Sequence, residues 1–152
     1  MLMVSQKCQY AVRAMFELAK RHGGEPTKIE EIATAQAIPQ RFLANILNQL
    51  RAAGLVDSVR GKKGGYVLPR PPAQTSVGDV IRLMEGSLAP VDCRGAGRSR
   101  CPLVDQCIFV GLWQRAQDAT TKVYDGTSFQ DLLEEERRLL ARRGKGGFDY
   151  VI

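Results

Sequence analysis

At 152 residues, 44% hydrophobic and 25% charged, the chain has an ordinary globular composition, with room for one compact core or a small domain carrying an arm. No run approaches the ~18–20 apolar residues of a membrane span, and the N-terminal MLMVSQKCQY has no apolar signal segment, so a cytoplasmic protein without a membrane partner is expected. The net charge of +6 lies wholly in residues 1–75, where eleven Lys/Arg face five Asp/Glu; residues 76–152 hold eleven of each.

The first predicted element is an amphipathic helix from Ser5 to about Arg21. Val4, Cys8, Ala11, Val12, Met15, Phe16 and Ala19 recur along it at three- and four-residue spacing, and Gly23-Gly24 stops it. A shorter helix follows from about Lys28 to Gln36, with Ile29, Ile32 and Ala33 inward. Ala37-Ile38-Pro39 turns the chain, and Pro39 suits a first helical position, where its missing N–H costs nothing. The third helix runs to about Ala53, with Phe42, Leu43, Ile46, Leu47 and Leu50 as its buried stripe and Gly54 as a left-handed cap.

Helix, short turn and helix is a helix-turn-helix arrangement. On the third helix Arg41, Asn45 and Asn48 share the side opposite the stripe, with Gln40 at its N-terminal end. Such side chains meet base edges or phosphates, and the N-terminal part of such a helix is what enters a major groove; the alternative is a plain solvated face. Leu55–Arg60 then reads as a strand and Tyr66–Leu68 as its return, joined by Gly61-Lys62-Lys63-Gly64-Gly65. A ribbon with Arg60, Lys62 and Lys63 at its tip, directly after a helix-turn-helix, is a wing whose charges suit phosphates or a narrow minor groove. Most of the positive excess falls between Arg41 and Arg70, the electrostatic footprint of a nucleic-acid-binding surface.

Pro69-Arg70-Pro71-Pro72 is a stiff extended connector. Ser76-Val77-Gly78-Asp79 resembles a capping box and opens a helix presenting Val77, Val80, Ile81, Leu83 and Met84, which Gly86 closes. Then comes Cys93–Cys107, reading CRGAGRSRCPLVDQC, which holds three of the four cysteines in a Gly- and Arg-rich loop that buries no apolar face. In a reducing cytoplasm these are thiols or ligands rather than disulfides. The single histidine, His22, removes most zinc-hydrolase and Ser/Cys-His mechanisms, so no enzyme is expected. From about Val104 to Tyr124 a helix carries Ile108, Phe109, Leu112, Trp113, Ala116 and Val123, a stripe too large for one small winged domain and suited to a dimer seam. A capped helix starts near Thr127 or Ser128 with Phe129, Leu132, Leu133, Leu139 and Leu140 inward, and the tail from Arg142 is expected to be mobile.

With the cysteines on this architecture, the chain resembles the IscR/NsrR-type iron–sulfur winged helix-turn-helix regulators over about residues 1–140. Ser5–Met15 looks like their opening helix motif, Leu55–Tyr66 matches their wing signature, and Val77–Ile81 fits the helix that follows. Cys93, Cys101 and Cys107, followed by Leu112-Trp113, match their cluster loop and dimer helix. The resemblance implies a mainly α fold with a small β-wing: a winged helix-turn-helix domain in residues 1–72, a cluster loop and dimerisation helices in 73–141, and a tail in 142–152. It implies a homodimeric transcriptional regulator, usually a repressor, that binds a double-stranded DNA operator and senses iron–sulfur status, redox state or nitric oxide. Cys93, Cys101 and Cys107 would hold one cluster per subunit. The base-reading positions fall on Arg41, Ala44 and Asn45 and the minor-groove arginine on Arg60; Ala44 replaces an acidic residue of IscR itself, which points to a different operator.

The fourth cluster ligand departs from the pattern. The histidine that IscR places three residues after the last cysteine is here Val110, and the acidic residue that NsrR-like relatives borrow from the partner's first helix is here Gln9. Cys8, one residue away, is soft enough for iron, but one residue on a helix turns the side chain by about 100°, and a small buried helix-face residue is the alternative reading. Asp92, Asp105 and an external small ligand stay open. Without the histidine a 4Fe–4S cluster is favoured over 2Fe–2S. Arg94, Arg98 and Arg100 would offset thiolate charge. The same fold could instead use the cysteines as a zinc site or a thiol redox switch, although zinc wants a fourth Cys or His at short spacing. An iron–sulfur electron carrier fits less well, because no C-x2-C repeat is present.

Overall fold

Helix α1 (Gln6–Lys20) is packed on by α2 (Ile29–Gln36), α3 (Gln40–Ala52), α4 (Val77–Glu85) and α6 (Phe129–Lys145). This computed structural model describes residues 4–91, 101–103 and 105–145. Small side chains make the central placement of α1 possible: Ala11, Ala14 and Ala19 let neighbouring helices approach, while Met15 and Leu18 fill the space between them. Ser5 caps the helix, its hydroxyl accepting the Cys8 N–H at 3.2 Å. The expected stripe is therefore too narrow, since Ala14 and Leu18 are buried as well.

The core joins α1 to Ile32 of α2, to Leu43, Ile46, Leu47 and Leu50 of α3, and to Val56 and Leu68 flanking the wing. Val80 of α4 and Phe129 and Leu133 of α6 belong to the same core. Burying a side chain the size of Phe129 stabilises by roughly 1.5–3 kcal/mol, which binds α6 to α1 and the helices packed on it.

β1 (Asp57–Val59) and β2 (Gly65–Val67) pair antiparallel, with Ser58 opposite Tyr66. They are shorter than the expected strands at the start, because Leu55 and Val56 turn into the core and their N–H groups go to the Leu50 carbonyl that ends α3. A third backbone joins the ribbon: Thr27 exchanges two hydrogen bonds with Tyr66, at 2.9 and 2.8 Å. The proline connector leads into a short 3-10 turn at Pro72–Gln74 with Pro72 buried, rather than staying extended throughout.

The capping box before α4 forms as expected: Ser76 N–H donates to Asp79 at 2.9 Å, and Asp79 N–H to the Ser76 hydroxyl at 3.1 Å. Burial alone would raise the Asp79 carboxyl, but the Ser76 donors and Arg82 outweigh it and hold it below the usual range. Ser128 and Asp131 repeat the box at α6. α5 (Val110–Asp125) begins six residues later than the predicted Val104, and its end meets α4 where Gly78 has no side chain. A Cβ there would lie 1.9 Å from Asp125 Oδ1, which instead pairs with Arg82 at 2.6 Å. α6 continues through Arg142 and Arg143 to Lys145, so the start of the expected mobile tail is helical; residues 146–152 lie outside the described residues. Leu139 and Leu140, expected inward, are exposed.

The turn between α2 and α3 carries the one non-glycine residue of positive φ among the described residues, Ala37 at φ 50°. Next to it Gln36 is clamped by α1. Its carbonyl accepts from Arg13, and its amide nitrogen donates to the buried Glu17 at 2.9 Å, while Arg21 Nε donates to the same carboxylate at 2.8 Å. Glu17→Ala is expected to lower unfolding stability by about 1–3 kcal/mol, read from the urea midpoint at unchanged m-value. Glu17→Gln, which keeps one acceptor, should lose less; equal losses for the two variants would contradict the clamp.

Candidate DNA interface and cysteine loop

α3 presents its polar side as expected. Gln40, Arg41, Asn45 and Asn48 are exposed, and Ala44 is half-buried among them. Gln40 is tethered to α2 through Glu30 at 3.3 Å, and Asn45 accepts from Gln49 at 3.0 Å. These bonds limit rotamer freedom on that face. A methyl group at Ala44 offers only apolar contact, such as with a thymine methyl, where an acidic side chain would accept from cytosine. Phe42 departs from the expected buried stripe: it is 48% exposed, and the Arg41 guanidinium lies over its ring at 4.6 Å. In sequence it belongs to the apolar set of Leu43, Ile46 and Leu50, and only the helix's rotation in the fold puts it outside.

The wing tip holds Arg60, Lys62 and Lys63, all exposed. Gly64 N–H closes the turn onto Gly61 O at 2.9 Å, and a Cβ on Gly64 would fall 2.2 Å from the Val59 carbonyl oxygen, so only glycine fits. Arg51 of α3 donates to Ser58 of β1 at 3.1 Å. With the Thr27–Tyr66 bridge, this fixes the wing relative to α3. Two cationic elements are thus held at a set spacing, which suits a helix in one groove and a ribbon reaching the adjacent backbone.

Of the loop cysteines, Cys101 and Cys107 are free and half-buried. Cys93, together with Asp92, Arg94, Arg98 and Arg100, lies outside the described residues. Cys107 stands just before α5, its carbonyl accepting the Val110 N–H at 3.3 Å. Two accessible thiols are soft donors that suit iron; among the described residues no group of three His, Cys, Asp or Glu side chains is assembled. Val110 is the apolar first residue of α5, and the Gln9 amide is engaged with the Val4 carbonyl at 2.9 Å.

Cys8 stands apart from the loop. It is 0% exposed, within a small apolar cluster with Val77 and Ile81. Burial, reinforced by Glu85, pushes its thiol up to about 12. Its contacts are apolar, and that packing fits the reading of Cys8 as a buried helix-face residue.

The face expected to form a dimer seam is uncovered: Ile108 is 84% and Val123 63% exposed, with Phe109 and Leu112 beside them. Among the described residues no helix is long and apolar enough to cross a membrane.

The Rrf2 family, described as iron-dependent transcriptional regulators, matches residues 4–135. The transcriptional regulator CymR of Bacillus subtilis is 38% identical over 129 residues, covering 85% of this chain and 88% of its own. Its solved structure, described as that of the global cysteine regulator, superposes with a TM-score of 0.73 over 89% of this chain and 98% of that one. The structure of T. potens IscR aligns at 33% identity with a TM-score of 0.72, covering 89% of this chain and 88% of that one. Staphylococcus aureus CymR, solved in an oxidized form, aligns at 35% identity with a TM-score of 0.65, covering 86% and 94%.

Arg60→Ala is expected to weaken binding to an operator selected from a random duplex library by about 1–3 kcal/mol, measured by fluorescence anisotropy at fixed salt. Unchanged affinity would remove the wing from the interface.

Proposed function

The chain belongs to the Rrf2 family of transcriptional regulators, and we propose that it is a homodimeric DNA-binding repressor whose cysteine loop holds an iron–sulfur cluster and reports its state to the recognition helices. As a member of that family it is a regulator and not an enzyme. The observation that carries the sensor reading is the pair of free, accessible thiols at Cys101 and Cys107, placed just before an unpartnered apolar helix in a chain whose net charge lies on its DNA-reading half. Cys93, Cys101 and Cys107 would supply three thiolates, with 4Fe–4S favoured over 2Fe–2S. When bound, the cluster supplies a centre reactive toward oxidants and nitric oxide. The fourth position falls to Asp92, Asp105 or an external small ligand more readily than to buried Cys8.

The chain's own residues provide a route from loop to reader. Glu85 ends α4 eight residues before Cys93 and accepts from the Ser5 backbone N–H at 3.0 Å and from the Ser5 hydroxyl. Ser5 is the cap of α1, the helix on which α3 packs. A loop that changes order would move Glu85 and so reposition the start of α1 and, through it, α3. The Arg82–Asp125 pair carries the same displacement to α5, where a second copy would cover Phe109, Leu112 and Val123 and set the spacing of two recognition helices on a palindrome.

One finding favours a second reading, a thiol redox switch on the same fold: a relative 35% identical to this chain was solved in an oxidized form. Anaerobic purification separates the two. The cluster reading predicts a brown protein with charge-transfer absorption, near-stoichiometric iron and sulfide, colour lost in Cys107→Ser and kept in Cys8→Ala. A colourless protein carrying zinc, or no metal and a reversible disulfide, would contradict it.

A further inference from the structure

The first turns of α1 and the outer side of α3 enclose an open groove of about 360 Å³ next to the base-reading face. Gln6, Lys7 and Tyr10 form one wall, and Arg41, Phe42 and Asn45 the other. Two features mark its lining. The described residues that line it include two cations and no carboxylate. The α3 wall also carries the exposed Phe42 ring, which is large and apolar where a solvated helix face would be polar. The polar groups in it are already oriented. Gln6 Nε2 donates to the Tyr10 hydroxyl at 3.0 Å, leaving the phenolic proton free to be donated outward. Arg13 backs the Tyr10 ring at 5.7 Å, and Arg41 is held over Phe42 at 4.6 Å.

We propose that this groove is a second DNA contact, which takes a sugar–phosphate unit of the strand bordering the major groove that α3 enters. Deoxyribose packs on Phe42, and the phosphate is met by Lys7 and the Tyr10 hydroxyl. The occupant follows from continuity and charge. Arg41 and Asn45 belong to both the groove and the base-reading face, so a duplex that seats α3 brings its backbone wall against α1, and the cationic lining suits a polyanion. The contact carries no base sequence. It fixes how deeply α3 sits, and because the wall is the N-terminal part of α1, any displacement of Ser5 alters it.

The proposal rests on the DNA-binding reading, and the test keeps the two apart. Full-length wild type, Lys7→Ala, Phe42→Ala and Lys62→Ala are titrated with a mixed-sequence duplex of about 30 base pairs across a salt series, by anisotropy. Losing one phosphate contact should reduce the slope of log K against log salt by about 0.9 per bound subunit and weaken binding about fivefold per subunit near 0.15 M salt. Lys7→Ala should show both effects. Phe42→Ala should weaken binding on the order of fivefold with its slope unchanged, because it loses apolar contact and no charge. Wild-type affinity and slope in both groove variants, with Lys62→Ala still weakened, would overturn the groove contact and leave the groove to residues 1–3 or a second copy of the chain. A wild type that binds no duplex would overturn the DNA-binding reading itself.

Discussion

Everything in this fold depends on the packing of α1 from several sides at once. A helix with alanine at 11, 14 and 19 can be approached closely by α3 on one side and by α4 and α6 on others. α3 and the helix that leads toward the cysteine loop are therefore neighbours of the same element. Interiors are close-packed and yield poorly to continuous deformation, so a shift imposed at the α4 end of α1 moves the whole helix rather than dissipating. The Glu85–Ser5 contact is where that shift would enter, and the clamp of Arg13 and Glu17 on Gln36 holds the helix-turn-helix to the same helix.

Local signals carried much of this. The period of Leu43, Ile46, Leu47 and Leu50 gives α3, the glycines around Lys62-Lys63 give the wing turn, and Ser76 with Asp79 gives the start of α4, because each depends on residues within a few positions of one another. What the sequence did not disclose is long-range. The Thr27–Tyr66 bridge joins residues 39 positions apart, and Glu85 meets Ser5 across 80. Glu17 reads as a solvated charge until Gln36 and Arg21 close over it. Phe42 shows the same limit on a single helix: hydrophobic spacing marks a stripe, but the stripe's edge is set by which neighbours arrive, and none covers Phe42. The α6 terminus ran past its expected end because Arg142 and Arg143 suit a helix C-terminus as well as they suit a solvated tail.

The two kinds of cysteine in the chain are separated by physics rather than by spacing. Cys101 and Cys107 sit in turns before α5 with access to solvent, whereas Cys8 lies one residue from a position used for ligation in relatives of the resembled type, yet is sealed between α1 and α4 and kept protonated. The rotation of one residue along a helix, about 100°, separates a side chain that faces outward at Gln9 from one that helps hold the α1–α4 seam. Cys8 packs in that seam against Val77 and Ile81.

In the proposed coupling, the loop's state reaches α3 through Glu85 and α1. The direct measurement is operator affinity of cluster-loaded and cluster-free protein at one salt concentration, in wild type and in Glu85→Ala. Wild-type affinities are expected to differ by about 5- to 150-fold, the range of typical allosteric coupling, and Glu85→Ala is expected to bring the ratio toward one. Equal affinities for the loaded and cluster-free wild type, or a ratio untouched by Glu85→Ala, would contradict it.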